Sequence, residues 1–153
     1  MKRFDCATTE IWRDESGPAD FHAGWASIHR AIGGEHIHGN LVVLPPQITS
    51  AQYHWEAGQE EWLIVLTGTP TVRHPEGEDE LRPGDVAAFP AGPAGAHQVI
   101  NRTDKECRVV HLSTVALPNV LVYPDTNKIG VDAQGWEKLL RGDGEVDYWE
   151  GVQ

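Results

Sequence analysis

Four side chains in the middle of the chain have the residue types and spacing of a divalent metal site. His54 and Glu56 lie two residues apart, Glu61 begins an apolar run, and His97 follows much later. Because side chains two apart in a strand point the same way, His54 and Glu56 would share one face. Imidazole nitrogen and carboxylate oxygen suit divalent first-row metals. We therefore predict that His54, Glu61 and His97 bind a metal ion, with Glu56 as a candidate fourth ligand.

The role of Glu56 and the identity of the metal stay open. As a ligand, Glu56 would add a second negative charge, and the site would favour Fe²⁺, Mn²⁺ or Zn²⁺, although Ni²⁺ could also bind. Outside the ligand set, Glu56 could act as a general base beside an open metal position. The remaining two histidines and one carboxylate form the set that non-haem Fe(II) oxygenases use.

Further candidate residues would face the same cavity. His111, in a later predicted strand, could serve as an acid–base or substrate-contacting residue, so Glu56 and His111 are the catalytic candidates. The alternative for His111 is a packed strand histidine. Alternation along the strand also puts Ser50 and Gln52 on the face of His54. Polar side chains on a buried strand need partners, which a wet, metal-bearing cavity would provide.

Two other assignments compete with this site. A β-bulge could turn Glu60 inward in place of Glu61. His36 and His38 form a second pair of histidines two residues apart. No carboxylate follows that pair at ligand spacing, so solvent exposure or a subunit contact is the simpler interpretation.

The elements that must position these residues are short strands separated by turns. The chain of 153 residues contains 16 Gly and 10 Pro, which interrupt it every few residues and favour strands over long helices. Residues 82–85, RPGD, predict a type II turn, because Pro fixes the first central φ and Gly allows the positive second one. Strands are predicted at residues 25–31, 40–44, 48–55, 61–67, 69–74, 86–89, 98–101, 106–114 and 120–123. The predicted fold class is all-β, a sandwich or barrel with little helix.

The chain has the length of a single domain with a core of useful size. We predict an N-terminal arm at residues 1–24, a β-barrel at residues 25–123, and a C-terminal extension at residues 124–153 that packs on the barrel. Within that extension, residues 136–140 are predicted to form a helical turn.

The first metal-ligand stretch resembles the first cupin motif, HxHxxxxE followed by six residues and Gly. It reads YHWEAGQEEWLIVLTG, with His54, Glu56, Glu61 and Gly68 at the motif positions. One departure matters for the metal: the motif's second histidine is Glu56 here. A second departure, Ile48 in place of a glycine, affects only a turn.

The second stretch resembles the second cupin motif, G-x5-P-x-G-x2-H-x3-N. It reads GDVAAFPAGPAGAHQVIN, with two extra residues before the histidine. The matching positions are Gly84, Pro90, Gly92, His97 and Asn101.

The resemblance covers residues 41–113 and implies a small single-domain bacterial cupin, a double-stranded β-helix or jelly-roll barrel. Similar proteins include metal-dependent dioxygenases, isomerases, decarboxylases and hydrolases. We therefore predict a metal-binding barrel that acts as an enzyme on a small organic molecule, with the oxygenase and isomerase classes favoured. The alternative is a non-catalytic barrel that binds a small ligand and has a degenerate metal site or none.

Charge and composition restrict the partners and the location. The net charge of −11 repels phosphate backbones and anionic membranes, so we expect neither nucleic acid nor a membrane as partner. The first residues lack the apolar core of a signal peptide, and we expect a cytoplasmic protein. Exposed edge strands, with an N-terminal arm able to cover them, predict a homodimer.

Overall fold

A computed structural model of the chain describes residues 1–142, and the rest of the predicted C-terminal extension lies outside the described residues. The strands are β1 Trp12–Arg13, β2 Gly24–Ser27, β3 Ile37–Leu44, β4 Trp55–Glu56, β5 Glu61–Thr67, β6 Thr71–His74, β7 Gly77–Glu80, β8 Val86–Phe89, β9 Gln98–Ile100, β10 Cys107–Thr114, β11 Asn119–Tyr123, β12 Lys128–Ala133 and β13 Trp136–Arg141. One α-helix, α1, spans Ile28–Ile32. The all-β prediction is confirmed.

A six-stranded antiparallel sheet forms one layer, in the order β1-β2-β3-β10-β5-β8. Burial alternates along β5, whose residues Glu61, Leu63 and Val65 are buried while Trp62 is exposed. This period of two is typical of a strand with one face on the core. The inward face of β5 therefore carries a carboxylate at one end and aliphatic side chains along the rest.

Two smaller sheets, β13-β12-β11-β4 and β7-β6-β9, form the opposing layer. The segment before β4 links them through two isolated bridges, between Thr49 and Ile100 and between His54 and His97. The second of these bridges brings the two motif histidines together, so the joint between the sheets is also the centre of the candidate site.

The core lies between the two layers and directly adjoins the polar site, because Leu63, Val99 and Val109 belong to both the core and the cavity wall. Its buried members include Leu44, Leu63, Val65, Val99 and Val109. Each buried Leu or Val side chain contributes about 1.5–3 kcal/mol of hydrophobic stabilisation. This packed half of the barrel provides the rigid support that a preorganised polar site needs.

Asn101, the last residue of the second motif, connects three backbone segments through its side chain. Its side chain is fully buried, and its amide donates to the carbonyl oxygens of Leu44, Pro45 and Lys105. Its own carbonyl oxygen accepts from the backbone and hydroxyl of Thr103. Since every polar atom has a partner, the burial carries no desolvation penalty of the kind an orphaned amide would have.

Turn chemistry was predicted best where Gly and Pro fix the backbone. Gly84 has φ of 95° and the Asp85 N–H donates to the Arg82 carbonyl, as a type II turn requires. The hairpin between β6 and β7 turns at Pro75 and Glu76, because His74 pairs with Gly77.

Two predicted strands are wrong in extent. The strand predicted at 25–31 ends at Ser27, and the chain turns into α1, which Gly33 terminates with φ of 81°. The strand predicted at 48–55 is a bent segment: bends interrupt it, and regular pairing begins only at Trp55. The rule that residues two apart share a face therefore fails across residues 50–53.

The end of the barrel also differs from the prediction. Residues 136–140 belong to strand β13, not to a helical turn, and β11 is followed by two further strands. The reason is the tight turn at Gln134 and Gly135, which both have positive φ. Two consecutive positive φ angles match the twist of a two-residue hairpin and force the chain back along β12.

Helices contribute little to this structure. None of those described in residues 1–142 has the length and apolar character needed to cross a bilayer.

Candidate metal centre

The backbones of His54 and His97 pair directly. The N–H of His97 donates to the carbonyl of His54 at 2.8 Å, and the N–H of His54 donates to the carbonyl of His97 at 3.2 Å. Directly opposed residues of an antiparallel pair project their side chains to the same face. The two rings therefore lie side by side, with centroids 5.0 Å apart.

The corner before His97 aims its ring inward. Residues Pro93–Gly95 form a single 3₁₀ turn that accommodates the two extra residues of the second motif. A Cβ at Gly95 would overlap the carbonyl oxygen of Pro90, so only glycine allows the turn to close this tightly. The His97 ring then stacks on Phe89, with centroids 3.7 Å apart.

Glu61 reaches the same point from β5. It pairs with Ser113 of β10 and Phe89 of β8, and its residue exposure is 5%. The competing residue Glu60 points outward, where it accepts a hydrogen bond from the Trp62 indole. The register irregularity in this pair of strands lies farther along, at Arg108 and Val109, so no bulge reverses the orientation of Glu61.

The three predicted ligands meet. One ligand atom from each of His54, Glu61 and His97 lies within 4.8 Å of the others. His97 Nε2 is 3.7 Å from Glu61 Oε2. Two atoms bound to one ion at about 2.1 Å are about 3.0–3.6 Å apart at ordinary ligand angles, so a small inward shift of the side chains would close the site.

Backbone carbonyls select the ligand form of both histidines. His54 Nδ1 is 2.7 Å from the carbonyl oxygen of Gln52, and His97 Nδ1 is 3.0 Å from that of Gly95. A carbonyl only accepts, so each Nδ1 must carry the proton. Each Nε2 then presents a lone pair to the cavity, which is how metal-binding histidines are oriented.

Burial keeps the imidazoles neutral. Desolvation, with the neighbouring His54 and His111, lowers the pKa of His97 to about 3. Desolvation, with His54, lowers the pKa of His111 to about 4. Desolvation also lowers the pKa of His54, against the effect of the Gln52 carbonyl. At neutral pH none of these rings needs to lose a proton before it can bind a metal.

The carboxylate shows the opposite shift. Desolvation, and secondly the negative charge of Glu56, raises the pKa of Glu61 to about 8. Without a cation the buried carboxyl group is therefore mostly protonated at neutral pH. A divalent ion would supply the charge that its ionised form lacks.

A further buried nitrogen without a hydrogen-bond partner among the described residues lies beside the three candidate ligands. His111 Nε2 is buried and has no hydrogen-bond partner within the described part of the chain. It faces Glu61 Oε1 at 3.6 Å, opposite the oxygen that faces His97. The two neutral imidazoles of His54 and His97 and the carboxyl group of Glu61 form a donor set that suits a divalent ion, and His111 Nε2 lies beside the oxygen of Glu61 that faces away from His97.

Glu56 lies in the same cavity but outside the group of three converging ligands. Its Oε2 accepts a hydrogen bond of 2.7 Å from the side chain of Asn119. Burial raises the pKa of Glu56, and the Asn119 hydrogen bond partly offsets this. This geometry fits the general-base interpretation better than the fourth-ligand interpretation.

Of the remaining predicted residues, some line the cavity and others do not. Ser50 lines the cavity. Gln52 does not; its side-chain oxygen accepts from Thr126 and Lys128 instead, because the bent segment turns it toward the C-terminal strands. His36 is exposed, whereas His38 lines the cavity wall and stacks on His29.

The cavity has a volume of about 300 Å³ and includes residues that sequence reasoning missed. They are Asn40, Asn119 and Asp132. Asn119 and Asp132 come from β11 and β12, after the motif-bearing part of the chain. No spacing rule connects them to His54, and only the sheet order β12-β11-β4 brings them to the site.

Comparison with known proteins agrees with the barrel and the motifs. The family model described as Cupin domain matches residues 40–113. No curated protein matches the chain. A solved structure from Salinispora arenicola, a Cupin 2 conserved barrel domain protein, is 19% identical with a TM-score of 0.57, over 76% of this chain and 88% of that one; at that identity it supports the fold alone.

Two solved structures resemble the chain more strongly. A Silicibacter pomeroyi protein, named a sugar phosphate isomerase from a cupin superfamily, is 26% identical with a TM-score of 0.83, over 93% of this chain and 94% of that one. An Acidithiobacillus ferrooxidans protein with a provisional sugar phosphate isomerase name is 25% identical with a TM-score of 0.77, over 83% and 81% of the two chains. Their likeness extends beyond the motifs to the flanking segments.

Proposed function

The chain belongs to the cupin family, and on that premise we propose that it is a metal-dependent isomerase of small sugars or sugar phosphates. One observation carries the proposal: His54, Glu61 and His97 converge on a cavity that also holds a second, half-buried carboxylate, Glu56. The names of the two similar structures support the isomerase class over the other metal-dependent classes.

The metal would be held by His54, Glu61 and His97. A bound divalent ion at this point supplies Lewis-acid polarisation of a substrate oxygen. The donor set of nitrogen and carboxylate oxygen favours Fe²⁺, Mn²⁺ or Zn²⁺.

Glu56 is the proposed proton carrier. Interconversion of an aldose and a ketose moves one proton between two adjacent carbons and one between their oxygens, and a single carboxylate can remove and return the carbon-bound proton. Burial raises the pKa of Glu56, which makes its carboxylate a stronger base than an exposed one. Asn119, by donating to Oε2, fixes the group and leaves Oε1 to face the substrate.

His111 is the proposed positioning residue for Glu61. Ligating carboxylates generally need a hydrogen-bond donor on their free oxygen. His111 Nε2 faces Oε1 of Glu61 at 3.6 Å and, as a neutral ring, can donate a proton from that nitrogen. We prefer this role to direct acid–base catalysis because the contact is with the ligand.

The cavity suits a small polar substrate. Its volume of about 300 Å³ is at the low end for ligand pockets. Ser50, Asn40 and Asn119 line it together with the ionisable groups, and can hydrogen-bond the hydroxyl groups of a sugar.

Proton exchange in D₂O tests the proposal. Metal-loaded protein is incubated with ribose 5-phosphate, ribose and glucose 6-phosphate, and deuterium incorporation next to the carbonyl carbon is followed by NMR. Exchange is expected in the wild type and is expected to be lost in Glu56→Gln and His97→Ala. Glu60→Gln, which removes an exposed carboxylate nearby, is the matched control. Metal-loaded protein that exchanges none of these, or exchange that survives Glu56→Gln, contradicts the proposal.

An oxygenase is the second candidate, because two histidines and one carboxylate are the ligands of non-haem Fe(II) oxygenases. It predicts substrate-dependent O₂ consumption by the Fe²⁺-loaded protein, measured with an oxygen electrode, and no exchange under nitrogen. The isomerase proposal predicts exchange under nitrogen and no O₂ uptake. A non-catalytic ligand-binding barrel would show neither.

We further propose a cytoplasmic homodimer. Cys6 and Cys107 are free thiols, as is usual in a reducing compartment.

The outer face of the six-stranded sheet exposes Ile37 and Trp62, which together with Leu112 form an apolar depression. Burying this face against a second copy would remove it from water. Sedimentation equilibrium at micromolar concentration is expected to give twice the chain mass; a monomer contradicts the assembly.

A further inference from the structure

A second depression, here called the outer chamber, adjoins the metal cavity. Three residues, Trp25, His38 and Asn40, line both spaces. The remaining walls of the outer chamber are Trp12, Ser27, His29 and Arg30. The two spaces are therefore neighbours that share one wall.

Charge is divided sharply between the two spaces. Among the described residues, the metal cavity is lined by the carboxylates of Glu56, Glu61 and Asp132 and by no Lys or Arg. Within residues 1–142, the outer chamber is lined by no carboxylate, although the full chain contains 23 Asp and Glu against 12 Lys and Arg. A phosphate group would be repelled in the first space and has no anionic neighbour on the walls of the second.

The outer chamber is rich in hydrogen-bond donors. Arg30 offers a guanidinium, two tryptophans offer indole N–H groups and Asn40 offers an amide, while the Ser27 hydroxyl lies 3.1 Å from His29 Nδ1. The His29 ring is held by the backbone of β3, with Nδ1 3.2 Å from the Gly39 nitrogen. It stacks on His38 with centroids 4.3 Å apart. Guanidinium together with neutral donors is the set that binds phosphate well.

The positive charge in the chamber lacks a counter-ion on its walls. The arginines that form ion pairs among the described residues are Arg73, Arg102 and Arg108, and Arg30 is not one of them. Burial, and then His29 and Arg30, lower the pKa of His38, while Asp132 acts in the opposite direction. A bound anion would offset the repulsion among these groups.

The sheet register connects the chamber to the metal ligands. On the inward face, Ser27 lies opposite Asn40, which lies opposite His111. In the next row, His38 lies opposite Ser113, which lies opposite Glu61. Two strand spacings amount to about 10 Å, a length that a small sugar phosphate can span from its phosphate to its carbonyl end.

From these observations we propose that the outer chamber binds the terminal phosphate group of a sugar phosphate whose carbonyl end reaches the metal cavity. The inference rests on the proposed isomerase function for the orientation of the substrate, and it names the phosphorylated sugars as the substrate class. Arg30 is the principal anion ligand, with Ser27, Asn40 and the two stacked histidines around it.

Two other basic residues, Arg73 and Lys128, already have partners. Arg73 forms an ion pair with Asp125 and lies over the ring of Tyr53. Lys128 donates to the side chain of Gln52. A phosphate bound by either would have to displace an existing partner, whereas the exposed Arg30 forms no ion pair among the described residues.

Phosphate binding to the full-length chain treated with EDTA tests the site apart from the metal. Inorganic phosphate is titrated by calorimetry and by NMR of the histidine ring signals. The Arg30→Gln variant is expected to bind phosphate about tenfold more weakly, the effect of losing one charge-assisted hydrogen bond. Arg82→Gln, which removes the same charge from an exposed turn, is expected to bind as the wild type does.

A second variant, Ser27→Asp, tests the site with a substitution that the fold should tolerate. Ser27→Asp puts a carboxylate in the chamber at the residue preceding α1, where Asp is a favourable helix cap, and is expected to abolish phosphate binding. Equal weakening in Arg30→Gln and Arg82→Gln, or unchanged binding in Ser27→Asp, would overturn the inference, as would a wild type that does not bind phosphate.

The His97→Ala variant separates this inference from the proposed function. It is expected to lose metal while it keeps phosphate affinity, so failure of the metal site would leave the phosphate result standing. If phosphate binding disappears in His97→Ala and persists in Arg30→Gln, the anion occupies the metal cavity and the outer chamber is not its site. In the wild type, ribose is expected to bind at least tenfold more weakly than ribose 5-phosphate. The affinity for ribose is expected to be the same in Arg30→Gln as in the wild type.

Discussion

The affinity for metal is expected to rise steeply with pH between 6 and 8, because the ion must displace one proton from Glu61. The pKa of that carboxyl group is about 8 in the metal-free protein. Below that value each pH unit costs about tenfold in apparent affinity, or about 1.4 kcal/mol. The apparent affinity should therefore increase about fiftyfold from pH 6 to pH 8 and level off above pH 9.

His97 and His111 should not contribute to this rise. The pKa of His97 is about 3 and that of His111 is about 4, so both are already neutral at pH 6. A carboxyl group at its ordinary pKa of 4.5 would likewise be ionised throughout the range. Burial also lowers the pKa of His54 below its ordinary value of 6.5, so the slope reports mainly the burial of Glu61.

A competition titration of Zn²⁺ against a chromophoric chelator at constant ionic strength, from pH 6 to 9, measures the slope. Calorimetry at pH 7 in two buffers of different ionisation enthalpy should show release of about one proton per ion. In Glu56→Gln the plateau should begin at lower pH, because the neighbouring negative charge raises the pKa of Glu61. An affinity that changes less than twofold between pH 6 and 8, with no proton released, would refute the reasoning.

Four further expectations concern single residues. From pH 7 to 8 the metal-free protein should lose about 1 kcal/mol of stability, or about 2–4 °C in melting temperature. The reason is that folding raises the pKa of Glu61 to about 8, so in this range the folded state binds more protons than the unfolded state and loses stability as the pH rises. Glu61→Gln should remove this loss. His111→Leu should weaken metal binding at least tenfold while His111→Gln, which keeps a donor, weakens it less; equal effects would contradict the positioning role. Asn119→Ala should cost about 1–3 kcal/mol in urea denaturation, because Glu56 loses its buried donor, and an unchanged midpoint would argue against that contact. Trp62→Lys should give a monomer by sedimentation, and a persisting dimer would locate the interface elsewhere.

Local spacing made the core of the site predictable from sequence. His54 and His97 belong to motifs whose turns are set by Gly and Pro, and Glu61 begins a strand whose alternation is regular. In each case the orientation of the side chain depends on a few neighbouring residues. The type II turn at Gly84 was predictable for the same reason.

The parts that could not be predicted depend on distant pairing. Gln52 is expected to face the cavity by alternation, but the segment that carries it bends, and its isolated bridges are those of Thr49 to Ile100 and of His54 to His97. Asn119 and Asp132 reach the site only because β11 pairs with β4 and with β12. No local pattern in the sequence encodes those pairings. The hairpin that creates β13 depends on the positive φ of Gln134, which cannot be predicted from the residue type because glutamine rarely adopts this conformation.

Metal content is the most direct test of the central claim. The wild type, reconstituted with a divalent ion and passed through a desalting column, should retain about one ion per chain by elemental analysis. The His97→Ala variant should retain almost none, and His38→Ala, which alters a wall residue outside the converging group, should retain as much as the wild type. Retention of the same amount by His97→Ala, or of none by the wild type, would contradict a metal centre at His54, Glu61 and His97.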